Sequence, residues 1–225
     1  IGCSSPDDGT ESITINNQQE GISVNGQGKV SVTPDIAILT VGIQSQEASV
    51  ASAQVKATDA MNKVVSALTG NGIASKDIQT QRFSIQVVTR YDTTTQQEVI
   101  IGYSVTNSVT TKIRALDKVG VIIDAVASAG GDLTRIEGIS FAIEDPTTYY
   151  SQAREKAIID AKAKAQQIAT LLGVTVGEPT YVSESTSSPI YQDSRIALPV
   201  ASETPISLGE LEVSASVQVV YAISK

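Results

Sequence analysis

Chemistry at neutral pH needs a nucleophile, a general acid–base pair or a metal site, and this chain holds few of the parts. Histidine is absent and cysteine occurs once, as Cys3. A zinc site of the His/Cys type and a disulfide within the chain are therefore excluded, and acid–base work would fall to carboxylates, Lys or Tyr. Glu144-Asp145 is the most suggestive carboxylate pair. Neighbours in an extended chain point to opposite faces, however, and Asp145 stands where a helix cap belongs. Asp7-Asp8 lies in a polar tail, and no Ser-x-x-Lys spacing occurs. Glu155/Lys156 and Asp160/Lys164 suit a solvated helix face, with i,i+4 pairing worth ~0.2–0.5 kcal/mol. No EF-hand spacing appears. Gly26-Gln27-Gly28 begins like a phosphate-binding fingerprint, but Ser31 takes the third glycine position and Pro34 follows inside a strand pattern. No catalytic, cofactor-binding or metal set emerges, and the chain reads as a non-enzyme.

One charge sits awkwardly. Between Asp145 and Gly173, alanines recur at 153, 157, 161, 165 and 169. With Ile158, Ile168, Leu171 and Leu172 they form one apolar arc on a helical wheel. Asp145-Pro146 reads as N-cap and first helical residue, and Gly173 as the stop. Arg154 falls within the arc, where a charge must find a partner or reach solvent. Its structural reading is an anchor that bridges the helix to a sheet through a carboxylate or strand-end carbonyls. Its functional reading is an anion site near the helix start.

The remaining elements follow from periodicity. Residues 22–43 alternate with period two across an interruption at Pro34-Asp35, which predicts two strand segments. Residues 45–70 repeat at three- and four-residue steps and predict a helix closed by Gly70-Asn71-Gly72. Strands are expected over 82–91 and 99–113, joined by a polar hairpin tip at 92–97. A second helix is expected over 115–129 and a strand over 133–143. After the long helix come a short strand at 174–183 and a Ser-, Thr- and Pro-rich loop at 184–205 carrying Tyr191. Strict alternation from Glu210 to Ser224 closes the chain. Three helix-then-strand units point to an α+β fold, with three amphipathic helices packed on a largely antiparallel or mixed sheet. The order also fits two interlocked α+β subdomains.

Composition narrows the partners. The chain has 225 residues, 41% of them hydrophobic, and a formal net charge of −8. That is globular, acidic and without a basic cluster, so neither nucleic acid nor anionic lipid is an electrostatic partner. Residues 1–21 read as a flexible tether, with 22–225 as the folded domain. Within the tether, Ile13 and Ile15 alternate with polar neighbours and could add as a strand to a neighbouring sheet edge. Gly2-Cys3-Ser4 resembles the end of a lipoprotein signal, which makes Cys3 the candidate lipidation and membrane-attachment point.

Several landmarks carry a resemblance. They are Gly26-x-Gly28 with Pro34-Asp35, Gly72-Ile73 with Asp77-Ile78-x-Thr80, and Ile101-Gly102-Tyr103 with Asn107. Further along stand Gly138-Ile139-x-Phe141, Ala153-Arg154-Glu155-x-Ala157-x-x-Asp160-Ala161-x-x-Lys164-Ala165, and Gly209 with Val213-x-Ala215. Their order over about 21–225 resembles the SIMPL-domain family, the group that includes periplasmic immunogenic proteins. The resemblance implies a secreted or cell-envelope α+β protein without established enzymatic activity and without a cofactor. It also implies self-assembly into a ring, channel-like or filamentous homo-oligomer, with a structural or stress-related role. Ile13, Ile15 and Tyr191 are the assembly candidates on that reading. The competing expectation is a monomeric, lipid-anchored binding module that presents the 184–205 loop to a partner.

Overall fold

A computed structural model describes residues 21–192, 204 and 206–224, with the side chains of 187–192 left aside. Cys3, Ile13 and Ile15 lie outside the described residues. The chain is α+β, with seven strands and three α-helices among the described residues. In order these are β1 (Ile22–Val32), β2 (Ile36–Glu47), α1 (Val50–Gly70), β3 (Ile78–Asp92) and β4 (Gln97–Ile113). They continue as α2 (Val119–Gly130), β5 (Thr134–Ala142), α3 (Thr147–Leu172), β6 (Thr175–Gln192) and β7 (Glu210–Ser224). The strands form two sheets rather than one, ordered β1-β7-β6 and β3-β4-β2-β5. Pro34 explains the division: without an N–H it cannot continue a ladder, so the chain leaves one sheet at Val32 and enters the other at Ile36.

The chain divides into two compact units. The larger takes residues 29–151 and the described part of 187–214. Its core lies between the four-stranded sheet and α1 and α2. Ala37, Leu39, Val41 and Ile43 of β2 meet Ala53, Ala57, Val64 and Leu68 of α1, and Val119, Ile122 and Val126 of α2. Helix α1 starts at Val50, not Ser45, because Ser45–Glu47 still pair with β4. The Ser49 hydroxyl then accepts from the Ser52 N–H at 3.3 Å as the helix cap.

The smaller unit takes residues 21–28, 152–186 and 215–224 of those described. Its organising contact is α3 against β1. The alanines at 153, 157, 161, 165 and 169 are all buried, and they bring the helix backbone onto Gly26 and Gly28. A Cβ on Gly28 would stand 1.9 Å from the Ala153 carbonyl oxygen, and one on Gly26 2.0 Å from that of Ala157. These glycines are therefore packing residues. Strand β1 is an edge of its sheet, and α3 occupies its open backbone groups. The Gln27 N–H donates to Asp160 Oδ2 at 2.8 Å, while Lys164 Nζ donates to the Asn25 carbonyl at 2.9 Å and to Asp160 at 2.6 Å. That covering is one of the ways proteins protect a sheet edge. It also corrects the assignment of Asp160 and Lys164 to a merely solvated face.

Two further expectations change. Ile158, Ile168, Leu171 and Leu172 are exposed, so the buried arc of α3 is made of alanine alone. Only small side chains fit where the helix backbone rests on glycine. Residues 184–192 are not loop either, because they extend β6 to Gln192. Pro179 and Pro189 are tolerated because β6 is an edge strand.

Candidate interaction surface on the β3–β4 hairpin

Hairpin β3–β4 reaches past the rest of its sheet. Strand β2 ends with Glu47 opposite Tyr103, so the residues of β4 before Tyr103 pair with β3 alone. Phe83, Ile85 and Val87 sit opposite Asn107, Val105 and Tyr103. Val105 is buried in the core that α1 and α2 cover, so these side chains continue the core face beyond the helices. Phe83 is 52% exposed, Ile85 43%, Val87 53% and Tyr91 59%, and Ile100 across from Thr89 is 61% exposed. The opposite face of β3 carries Arg82, Ser84, Gln86 and Arg90. The turn is polar, held by Asp92 Oδ1, which accepts from the Thr94 N–H at 2.8 Å and the Thr95 N–H at 3.4 Å. These bonds hold the Asp92 carboxyl below its usual range. The result is an amphipathic hairpin with an exposed apolar face and a terminal strand, β3, whose outer edge has no strand partner among the described residues.

The most concentrated charge lies at the other end of the four-stranded sheet. Arg114, just past β4, donates through Nε and Nη2 to Glu144 at 2.7 and 2.6 Å, and through Nη1 to Asp77 at 2.7 Å. Lys112 adds a bond to Glu144 at 3.1 Å, and the Glu144 N–H donates to Asp35 Oδ1 at 2.7 Å. Arg114 and, secondarily, Lys112 hold the Glu144 carboxyl down to about 2. Arg114 also lowers Asp77, and the two carboxylates in turn raise the guanidinium. All three guanidinium nitrogens donate inside the cluster, so its chemistry is that of a clamp. It ties the starts of β2 and β3, the end of β4 and the exit of β5 together.

Among the described residues, those singled out from sequence do not converge on one site. Arg154 Nε lies 2.8 Å from Glu184 Oε1 of β6, an ion pair within the smaller unit. Its side chain is 44% exposed, so the arginine sits on the flank of the alanine stripe rather than inside it. Glu184 keeps the guanidinium in its charged form. Because the pair is solvated and screened, Arg154→Ala is expected to lower the melting temperature only slightly. A large loss in a thermal melt would contradict that. Asp145 Oδ1 accepts from the Thr147 N–H at 3.0 Å at the start of α3, and the Thr147 side chain and N–H lower its carboxyl. Tyr191 falls in the backbone of β6 near its end, with its side chain outside the described set. On the sheet face opposite the helices, a groove of about 310 Å³ is lined by Thr40, Gln81, Glu137 and Ser140, with Glu137 its one titratable group. Among the described residues, no three His, Cys, Asp or Glu side chains gather as metal ligands, and no helix is long and apolar enough to cross a membrane.

The pairing of Gly26-x-Gly28 with the four-residue alanine repeat sets a pattern that can be compared with known proteins. A family model described as SIMPL, protein of unknown function (DUF541), matches residues 22–221. The chain belongs to the SIMPL family. The 26 kDa periplasmic immunogenic protein of Brucella melitensis is 30% identical over 220 residues, covering 92% of this chain and 86% of that protein. YggE of Escherichia coli K12, an uncharacterised protein, is 28% identical over 207 residues, covering 90% of this chain and 82% of its own length. The periplasmic relatives support a cell-envelope location for the chain. The apolar face of β3 is what sequence reading missed. Its alternation at Phe83, Ile85 and Val87 was visible, but alternation alone does not tell whether anything covers the face.

Proposed function

We propose that this SIMPL protein is a non-catalytic component of the cell envelope that works by assembling with copies of itself, in a structural or stress-related role. One observation carries the reading. A hairpin that outreaches its sheet leaves Phe83, Ile85, Val87, Tyr91 and Ile100 uncovered on one face. Contiguous apolar surface of this kind, on a strand whose outer edge pairs with no other strand among the described residues, marks an association surface. A bilayer is the poorer partner, because the hairpin would have to enter it tip first and the tip is Asp92-Thr93-Thr94-Thr95-Gln96-Gln97. Size-exclusion chromatography with light scattering on the full chain tests the proposal. The unsubstituted chain should be oligomeric at micromolar concentration. An Ile85→Asp/Ile100→Asp chain should run smaller with unchanged circular dichroism, since exposed substitutions usually shift stability by only about 0.5 kcal/mol. A monomeric parent chain would overturn the proposal and favour a module anchored through Cys3 that presents residues 184–205 to a partner.

A further inference from the structure

The assembly reading names a surface, and the register of β3 goes further by naming the contact. Along β3, residues from Arg82 to Asp92 follow one another in the ladder without a skipped residue. The irregularity near Thr80 ends at Gln81, and the shift at Val88/Thr89 takes its extra residue, Ile101, from β4. The midpoint of this regular stretch is Val87. We infer that two copies pair antiparallel, β3 against β3, about a twofold axis at Val87, so that the two four-stranded sheets become one continuous sheet. The inference rests on the assembly reading above.

The side chains specify that register. With the axis at Val87, Phe83 meets Tyr91 of the second copy, Ile85 meets Thr89 and Val87 meets itself, all on the apolar face. On the polar face Ser84 meets Arg90, and Arg82 meets Asp92 twice, once on each side of the axis. Aromatic and opposite-charge pairs directly across an antiparallel ladder are the favourable kinds. Asp92 already accepts from the Thr94 and Thr95 N–H groups through Oδ1, and a carboxylate, with about four lone-pair sites on its two oxygens, has acceptor capacity beyond them for a guanidinium. Competing registers are worse. Moving the axis to Gln86 sets Arg82 against Arg90, like charge against like. Moving the pairing by a single residue turns the apolar face of one copy against the polar face of the other. Moving the axis to Val88 pushes Arg82 beyond the end of the strand and forfeits both ion pairs. The edge itself invites pairing, since residues 82–92 contain no proline and no charge on the apolar face.

Cysteine trapping and charge exchange test the contact in a full-length Cys3→Ser background. A Val87→Cys chain should oxidise to a covalent dimer. Phe83→Cys alone should not, because its two copies would lie roughly 27 Å apart along the strands. Phe83→Cys mixed with Tyr91→Cys should cross-link. Arg82→Asp should weaken association about tenfold or more, since it sets carboxylates together at two symmetric positions, and mixing it with an Asp92→Arg chain should restore the affinity. If the parent chain is oligomeric but Val87→Cys cross-links no faster than a Val55→Cys control on exposed α1, the β3 register is wrong and the assembly reading stands. If the parent chain is monomeric, both fall.

Discussion

A Gly28→Ala chain is expected to unfold about 1–3 kcal/mol more easily than the parent in a urea titration, the usual cost of forcing extra volume into a packed site. The added Cβ would stand 1.9 Å from the Ala153 carbonyl oxygen and 2.6 Å from the Ala157 amide nitrogen. These are backbone atoms of a helix, so neither can swing aside as the end of a long side chain could. The helix must lift from β1, and lifting it also strains the bonds from Asp160 to the Gln27 N–H and from Lys164 to the Asn25 carbonyl. Gly26→Ala meets the Ala157 carbonyl at 2.0 Å and the Ala161 methyl at 2.7 Å, and should behave alike. The two substitutions share one helix, so their combined effect should not be additive. Gly138→Ala is the control. Nothing lies within 4 Å of its added Cβ, and its effect should stay within about 0.5 kcal/mol. Equal destabilisation by Gly28→Ala and Gly138→Ala would mean that backbone freedom, not contact with α3, explains these glycines.

That contact shows how far the sequence could be read. The alanine repeat of α3 and the Gly26-x-Gly28 spacing were each visible, and each had its own reading, as a helix stripe and as a failed phosphate loop. They are two halves of one close backbone approach. Neither half carries a local signal of the other, because the pairing exists only once β1 and α3 meet. Strand β7 was legible to the residue, since Leu211, Val213, Ala215, Val217 and Val219 alternate with a polar face. The start of α1 was not, because residues 45–47 have the composition of a helix entrance but are held by pairing with β4. Burial was the least legible quantity. Ile158, Leu171 and Leu172 on α3, and Phe83, Ile85 and Val87 on β3, look like core residues in their periods and are exposed in the structure. Period gives the face of an element, whereas burial depends on what covers that face. The candidate surface was missed for this reason.

The Arg114 clamp should be visible as an acid limb in the stability of the chain. Glu144 titrates at about 2 in the folded chain against an ordinary value of 4.5, and Asp77 is lowered by the same guanidinium. A depressed carboxyl takes up its proton in the unfolded chain first, so the stabilisation is fully present above the ordinary value and is lost as pH falls. The melting temperature should therefore hold from pH 7 to about 5 and drop between 4.5 and 2. Arg114→Met should do two things at once. It should lower the melting temperature at pH 7, because the Asp77 side chain, only 8% exposed, loses its partner. It should also flatten the acid limb, because Asp77 and Glu144 return towards ordinary values once the cation is gone. Melting curves of both chains from pH 7 to 2 separate these effects. If the substituted chain keeps the parent's acid slope, the limb belongs to other lowered carboxylates, such as Asp160 under Lys164 or Asp92 at the hairpin turn. The clamp would then stabilise the sheet end at neutral pH without setting its acid limit.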